Sequence, residues 1–591
     1  MATPAPPQPA IQAGIRIESI RIRGFRALVD VCMVLDRGTT YLVGENNTGK
    51  SAVLAALETA FGRRRPDRDD LHLDAAGNAV DSFTVDLVIV PDDDQRFEAT
   101  VGTLFGYAIR RDASGREFVA IRTSGTVGAD RSGLDVTHIF IEGWTTCGDA
   151  DGTAVAEVRV SQRHLELISF AILGASRDLV DNLRQRTSHW GRILAQLNLP
   201  DDVVSEIEAT LSDVGQKVVD ESEVLTRLRD QLAEVQRVLP TVDVVNLEPV
   251  PVKLDELARA IDVTVGAPDS APVPLRLEGL GSRSLAELMV FQAFATTVPG
   301  VGATVVPHIV SCFEEPEAHL HPQAQIAVAG LIDRMPGQRI VTTHSPQLAG
   351  EADLRNVRIL RRTGAGVDVR VASALETEDV IKVRRLAERP FGQTLFARLV
   401  LIGDGATERA SIPVFARAYW DGVEVEGKGV TIVDPASLSQ ADALVKVLED
   451  YGIPWLIFAD GDDAAEQALV TIGGRIGRQL ERNSPEVVML PAGQGFEEYL
   501  LAQGLRTELE SGIASLYGQD ALADFKRQGS NDQLSDDDLV LKFLKRKKGS
   551  YGGAIAEAIV ATKSADSGPT IPELVLDLLK KADAALGKAL A

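Results

Sequence analysis

The 591-residue sequence contains three cysteines, Cys32, Cys147 and Cys312, and no CxxC pair. This argues against a structural zinc site and fits a reducing cytoplasm. Long hydrophobic runs are also missing. No stretch reaches the roughly 18 apolar residues of a membrane helix, so no membrane span is expected. Positive charge is short: 61 Lys and Arg stand against 85 Asp and Glu, a net charge of −24. General electrostatic attraction to nucleic acid is therefore excluded. Any DNA contact must use local basic patches and metal ions. Arg63, Arg64, Arg65 and Arg68 form one candidate patch, and Lys545, Arg546, Lys547 and Lys548 another. Each reads equally well as a solvated face. The opening MATPAPPQPAIQAG lacks a charged n-region and an apolar h-region, so 1–15 reads as a Pro/Ala-rich disordered tail, not a signal peptide.

The chain is long enough for two to four domains. Alternation in Ile17–Arg23 predicts a strand, and Tyr41–Val43 a second one. Val53, Leu54, Leu57 and Phe61 recur at helical spacing. Short strand-like runs fill 81–160 and predict a mostly β lobe. Residues 161–238 turn helical without sustained heptads, which predicts a helical insertion. Strand–helix alternation returns at 285–350, and a second αβ pattern starts near Ala397.

Between the second strand and the first helix lies GENNTGKS: Gly44, Glu45, Asn46, Asn47, Thr48, Gly49, Lys50 and Ser51. This is G-x-x-x-x-G-K-[ST] in the context it requires, strand before and helix after. Backbone N–H groups there can surround phosphate oxygens at a helix N-terminus. Lys50 then reaches the β- and γ-phosphates of ATP, and Ser51 binds Mg²⁺. Further on, an apolar run ends in Glu314 and Glu315. The first acid suits the Mg²⁺ shell, and the second suits polarising the attacking water. His344 follows another apolar strand. His319 and His321 belong to a loop, since no third metal ligand is near in sequence. The order resembles ATP-binding-cassette heads, in which a histidine at such a place contacts the γ-phosphate. Gly279, Gly281 and Ser282 stand where those ATPases carry their signature loop. The resemblance implies ATP held between two heads, hence a homodimer or higher homo-oligomer.

Carboxylates gather again in the last third. Asp404 and Glu408 follow one apolar strand, Asp460, Asp462 and Asp463 another, and Glu497 and Glu498 a third. Acids at the carboxyl ends of successive strands share a crevice. Mg²⁺ or Mn²⁺ are natural occupants, and two such ions can cleave a phosphodiester. Taken singly, each acid reads as a turn residue.

GENNTGKS, then EEPEAHLHP, THSP, a G-x-T-E and a D-x-D closely resemble the OLD (overcoming lysogenisation defect) family of ATP-dependent nucleases. That family includes the nuclease subunit of Gabija anti-phage systems. IRIRGFRAL also looks like the first strand of RecF/SMC-like heads. The resemblance implies an α/β chain: an ABC-type, RecF/SMC-like ATPase head with a helical insertion, then a Toprim αβ domain with a helical C-terminal extension. The expected divisions are a tail over 1–15, the head with its β lobe over 16–170, a helical insertion suited to dimerisation over 171–245, the rest of the head over 246–390, and the Toprim region over 391–591. The resemblance makes Asp404, Glu408, Asp460, Asp462 and Glu497 metal ligands and Lys548, or else Lys547, an aid to cleavage. It also implies a DNA substrate, a role in phage defence or DNA processing, and a helicase-like partner in some relatives. One departure stands out. Toprim domains usually read V-E-G where this chain has Gly403-Asp404-Gly405. The shorter acid supports two alternatives: a non-catalytic ATP-gated scaffold, or a RecF/SMC-like repair ATPase with a binding module.

Overall fold

The computed structural model describes residues 11–590, apart from 93–94, 129–132, 143–146, 148–152, 175–199, 227–263, 266–272, 275–276, 278, 297–304, 365, 373–374, 387–391, 530–534, 548–550 and 563–568. The chain divides into two compact units. One holds Arg163–Ala324 with Met1–Ala13 and Arg334–Gly337; the other holds Gly14–Gln162, Gln325–Asp333 and Gln338–Ala591.

In the larger unit, β1 (Ile15–Phe25) turns back into β2 (Leu28–Val34). Gly24 sits at φ +66, where a Cβ would fall 2.7 Å from the carbonyl oxygen of Ser82. Only glycine fits that turn. A short, fully buried strand, β3 (Thr39–Val43), leads to helix α1 (Lys50–Ala60). The β lobe then adds β4 (Ser82–Pro91), β5 (Glu117–Val127), β6 (Leu134–Glu142) and β7 (Thr153–Arg159). Its strand order is β2-β1-β4-β5-β6-β7, each neighbour antiparallel. Ile15, Ile17, Ile20, Ile22, Val85 and Leu87 are all buried. Each such side chain contributes about 1.5–3 kcal/mol by leaving water.

Two expectations need correction here. Residues 11–15 are not tail: Ile11–Gln12 pairs in parallel with Val305–Val306, and β1 starts at Ile15. The cysteine reading, which fitted a reducing cytoplasm, also needs revision. Cys32 and Cys147, 115 residues apart in sequence, form a disulfide with Cα atoms 5.4 Å apart, and Cys312 is a buried thiol. The antiparallel lobe brings the pair together, which linear spacing cannot reveal.

In the smaller unit, β8 (Ile168–Leu173) runs parallel to β9 (His308–Glu314) in unbroken register. Helices α2 (Asp201–Glu221) and α3 (Leu280–Thr296) lie between them in sequence. Most of the expected helical insertion lies outside the described residues; α2 is its described part.

The larger unit continues with β10 (Gln338–Thr343), β11 (Val357–Thr363) and β12 (Gly366–Val371). β3 pairs in parallel with both β10 and β11, and β12 is antiparallel to β11. A separate four-stranded parallel sheet follows: β13 (Leu399–Gly403), β14 (Val430–Val433), β15 (Trp455–Ala459) and β16 (Val487–Met489), ordered β14-β13-β15-β16. The chain goes from β13 to one side for β14, then to the other side for β15. The switch point therefore lies between β13 and β15. Around this sheet pack α4 (Ala406–Tyr419), α5 (Asp442–Asp450), α6 (Asp463–Ile476) and α7 (Phe496–Ala502). The C-terminal helices are α8 (Arg506–Tyr517), α9 (Gln519–Gly529), α10 (Asp536–Arg546), α11 (Gly552–Ala561) and α12 (Glu573–Leu590). Their apolar faces share one core with β13 and β15, through Leu399, Phe415, Phe458, Ile513, Phe543, Ile555 and Leu578 among others. The phosphate loop and this αβ region fall in the same unit. Arg361 of β11 donates to the carbonyl oxygen of Gly452 at 2.9 Å, Tyr451 Oη donates to that of Leu354, and Arg475 pairs with Asp379.

Candidate active site

The phosphate loop is shaped by two glycines. A Cβ at Gly44 would lie 2.5 Å from the carbonyl oxygen of Leu360, and Gly49 adopts φ +91. Asn47 also adopts a left-handed φ of 64°. Lys50 is buried, and its ammonium donates to the carbonyl oxygens of Gly44 and Glu45 at 2.7 and 2.8 Å. Gly49 caps α1 without any side-chain hydrogen bond, and the first turn holds no acid. The helix N-terminus thus keeps its amides for an anion, and the residues fit a nucleotide phosphate. A cavity of about 610 Å³ is lined by Gly44–Thr48, Ile359–Gly364 and Leu395–Arg398. Arg361, in that wall, is desolvated and faces Glu45.

Thr343 pairs with Val43, so His344, exposed, and Gly44 follow paired residues on neighbouring strands. Glu314 ends β9, and Glu315 follows it at φ 47. A non-glycine residue there is uncommon and costs on the order of 1–3 kcal/mol, as seen at functional sites. His319 and His321 lie in the turn-rich segment after Glu315, as the loop reading expects. Gly281 and Ser282 fall where the signature stretch passes into its helix. They form the first turn of α3, and a Cβ on Gly281 would sit 3.1 Å from the carbonyl oxygen of His319. Gly279 lies just before the helix. A helix starting one residue after Gly279 is compatible with the sequence because Leu285, Leu288 and Phe291 give it an apolar stripe.

The carboxylate centre forms at the switch point of the parallel sheet, where such folds bind ligands. Gly403 pairs with Phe458, which sets Asp404 and Asp460 beyond adjacent strand ends. The Asp404 carboxylate accepts the Leu438 N–H at 2.8 Å and the Asp460 backbone N–H. Burial raises its pKa, and Asp462 and Asp434 add to the shift. Glu408, in the first turn of α4, is 5% exposed. Burial pushes its pKa up to about 8, and Asp460, Glu497 and Asp404 add repulsion. Asp460 is pushed up to about 7, by burial first and then by Asp404, Glu497, Asp462 and Glu498. Gly461 makes this approach possible: a Cβ would fall 1.8 Å from the carbonyl oxygen of Pro491. Asp462 is the N-cap of α6 and accepts the Ala465 N–H at 2.8 Å. Glu497 Oε1 accepts from Thr407 Oγ1 at 2.9 Å and from Tyr551 Oη at 2.6 Å.

All five predicted acids therefore sit in one field of mutual repulsion. Among the described residues, no three His, Cys, Asp or Glu side chains stand closed at ligand spacing. The gathering is looser than a finished coordination sphere. Even so, Asp460 Oδ1 is buried without a hydrogen-bond partner. An all-oxygen donor set with an orphaned carboxylate oxygen fits a hard divalent cation. Lys548 lies outside the described residues. Lys547 stands over the Tyr517 ring at 5.0 Å, and Lys545 reaches Glu498 at 3.1 Å. Tyr551 joins the centre without a signal in the sequence, whereas Thr407 lies inside the G-x-T-E, Glu498 among the acids after the third apolar run and Lys545 in the basic run.

A phosphate loop on one sheet and acids at the switch point of a second, parallel sheet define an ATPase joined to a Toprim-type centre. A family model for an AAA ATPase domain matches residues 16–99 and 170–349, and one for the overcoming-lysogenization-defect-protein-like TOPRIM domain matches 395–462. That pair of domains, in that order, supports the resemblance to the OLD family. It is 30% identical over 193 residues to the uncharacterized protein YbjD of Escherichia coli, covering 32% of this chain and 34% of that one. It is 26% identical over 198 residues to the OLD nuclease of Thermus scotoductus, covering 31% of this chain and 35% of that one. The chain thus spans about a third of the length of these curated relatives. Among solved structures, an Smc head domain from Pyrococcus furiosus aligns at 14% identity and a TM-score of 0.35, over 64% of this chain and 100% of that one. The C-terminal region of the Burkholderia pseudomallei OLD protein aligns at 21% and 0.25, over 32% of this chain and 99% of that one. No described helix is long and apolar enough to cross a membrane.

Proposed function

We propose that this chain is an ATP-binding, metal-dependent DNA endonuclease whose cassette-type head controls the Toprim centre. The observation that carries the reading is Asp460, a carboxylate oxygen buried without a partner among four other acids. Asp404, Glu408, Asp460, Asp462 and Glu497 would hold Mg²⁺ or Mn²⁺. Such ions activate water and stabilise a leaving oxygen in phosphodiester cleavage. Lys548, or Lys545 with its ammonium already at Glu498, would steady the charge that develops on phosphate. Lys50, Ser51, Glu314, Glu315 and His344 would bind and hydrolyse ATP. Gly279, Gly281 and Ser282 would complete the site of a second copy, making the working form a homo-oligomer. Phage defence, or DNA processing with a helicase-like partner, is the setting we assign. The test is plasmid nicking by purified protein with Mg²⁺ or Mn²⁺, with and without ATP, beside Asp460→Ala. Metal-dependent nicks lost in the variant are expected; intact plasmid under every metal and nucleotide condition overturns the nuclease reading.

A second reading has its own support. Asp404 is tied to two backbone amides and Asp462 caps a helix, so both spend acceptor capacity on the protein itself. On that reading the chain is a nucleotide-gated scaffold whose Toprim region binds without cutting.

A further inference from the structure

Tyr551 has no place in the reading above, yet it enters the carboxylate centre. It is 3% exposed, and its hydroxyl donates to Glu497 Oε1 at 2.6 Å. Thr407 Oγ1 donates to the same oxygen at 2.9 Å. Among the described residues, both hydrogen bonds to the Glu497 carboxylate fall on Oε1 and leave Oε2 to other partners. The next residue, Gly552, opens α11 and leaves no room: a Cβ there would lie 2.5 Å from the carbonyl oxygen of Thr407. The C-terminal helical extension is thereby pressed against the first turn of α4, which carries Thr407 and Glu408. Two hydroxyls from different elements converge on one oxygen of a carboxylate whose neighbours repel it.

We propose that Tyr551 is a positioning residue of the metal centre. It fixes the Glu497 carboxylate through Oε1 so that Oε2 faces a cation, and Thr407 shares the task. The C-terminal extension is then a working part of the centre and not only a buttress for the sheet. Carboxylate ligands held by hydrogen bonds from behind behave this way in general. Losing such a partner typically weakens metal binding about 10- to 100-fold. The proposal rests on the metal-binding reading of the acids.

The test is Mn²⁺ titration of the full chain, followed by electron paramagnetic resonance, for the parent protein, Tyr551→Phe, Thr407→Val and Glu497→Gln. Phenylalanine keeps the ring packing and removes only the hydroxyl. The expected result is at least about a tenfold weaker Mn²⁺ affinity in Tyr551→Phe, with the metal-free melting temperature held, and a smaller loss in Thr407→Val. If Tyr551→Phe fails to fold, Thr407→Val decides. Unchanged Mn²⁺ affinity in a folded variant overturns the proposal while the metal reading stands. A parent protein that binds no Mn²⁺ overturns the metal reading itself.

Discussion

If burial, and then its acidic neighbours, strain the Asp460 carboxylate, removing its charge should stabilise the metal-free protein. Its pKa stands at about 7 in the fold against 3.8 when unperturbed. Between those values the folded state holds a proton that the unfolded chain has released. Folding stability therefore falls as pH rises through this window. Three units correspond to about 4 kcal/mol at most, and because the acids share the repulsion, about 2–4 kcal/mol is the working figure. Asp460→Asn keeps the shape and discards the charge. In EDTA at pH 8 it should melt roughly 5–10 °C above the parent, and the gap should shrink towards pH 4. Mn²⁺ should close most of that gap. A cation at about 100 times its Kd adds about 2.7 kcal/mol to the parent, and little to a variant lacking a ligand. Scanning calorimetry at pH 5 and pH 8, with EDTA or Mn²⁺, measures both effects. An Asp460→Asn protein that melts at or below the parent in EDTA at pH 8, or gains equally from Mn²⁺, refutes the reasoning.

Two further outcomes follow from close contacts. Lys50→Ala removes the ammonium that the Gly44 and Glu45 carbonyls hold, and should weaken binding of a fluorescent ATP analogue at least about tenfold, because the charge facing the β- and γ-phosphates is lost. Unchanged affinity would place the nucleotide elsewhere. Gly461→Ala forces a methyl onto the carbonyl oxygen of Pro491, and should destabilise the fold by about 1–3 kcal/mol and weaken Mn²⁺ binding. Gly474→Ala, in open space within α6, should instead stabilise it by about 0.5–1 kcal/mol. Denaturant titration separates the two, and equal effects would refute the packing argument.

The strand-then-glycine signals were legible because each is local. GENNTGKS needs its own loop, and the apolar runs before Asp404 and Asp460 are buried strands that end where the acids begin, while Glu497 comes later, in the first turn of α7. The order β14-β13-β15-β16 was not written locally, yet the acids' convergence follows from it. Contacts between distant segments left no local trace. Tyr551 looks like a loop residue after a basic run, and Cys32 and Cys147 look solitary, until packing brings each to its partner. Gly279, Gly281 and Ser282 stand where a signature loop runs into its helix, and the apolar stripe beyond them supplies the burial that carries that helix back to Leu280.

Asp404 separates the two functional readings. A glutamate there would reach one methylene further. The aspartate instead rests on the N–H groups of Leu438 and Asp460, and so links the β13 tip to the segments that follow β14 and β15. If the centre is a working nuclease built around the shorter acid, Asp404→Glu breaks that bracket and pushes a carboxylate into the repulsive field. Nicking should then fall at least about tenfold, since metal geometry tolerates only about 0.2 Å of error. If the centre has lost catalysis by shortening this ligand, the same substitution restores reach and nicking rises from background. One plasmid assay on one variant gives opposite signs. A fall supports an intact enzyme tuned to aspartate, and a rise identifies Asp404 as the lesion that turned a nuclease into a nucleotide-gated binding module.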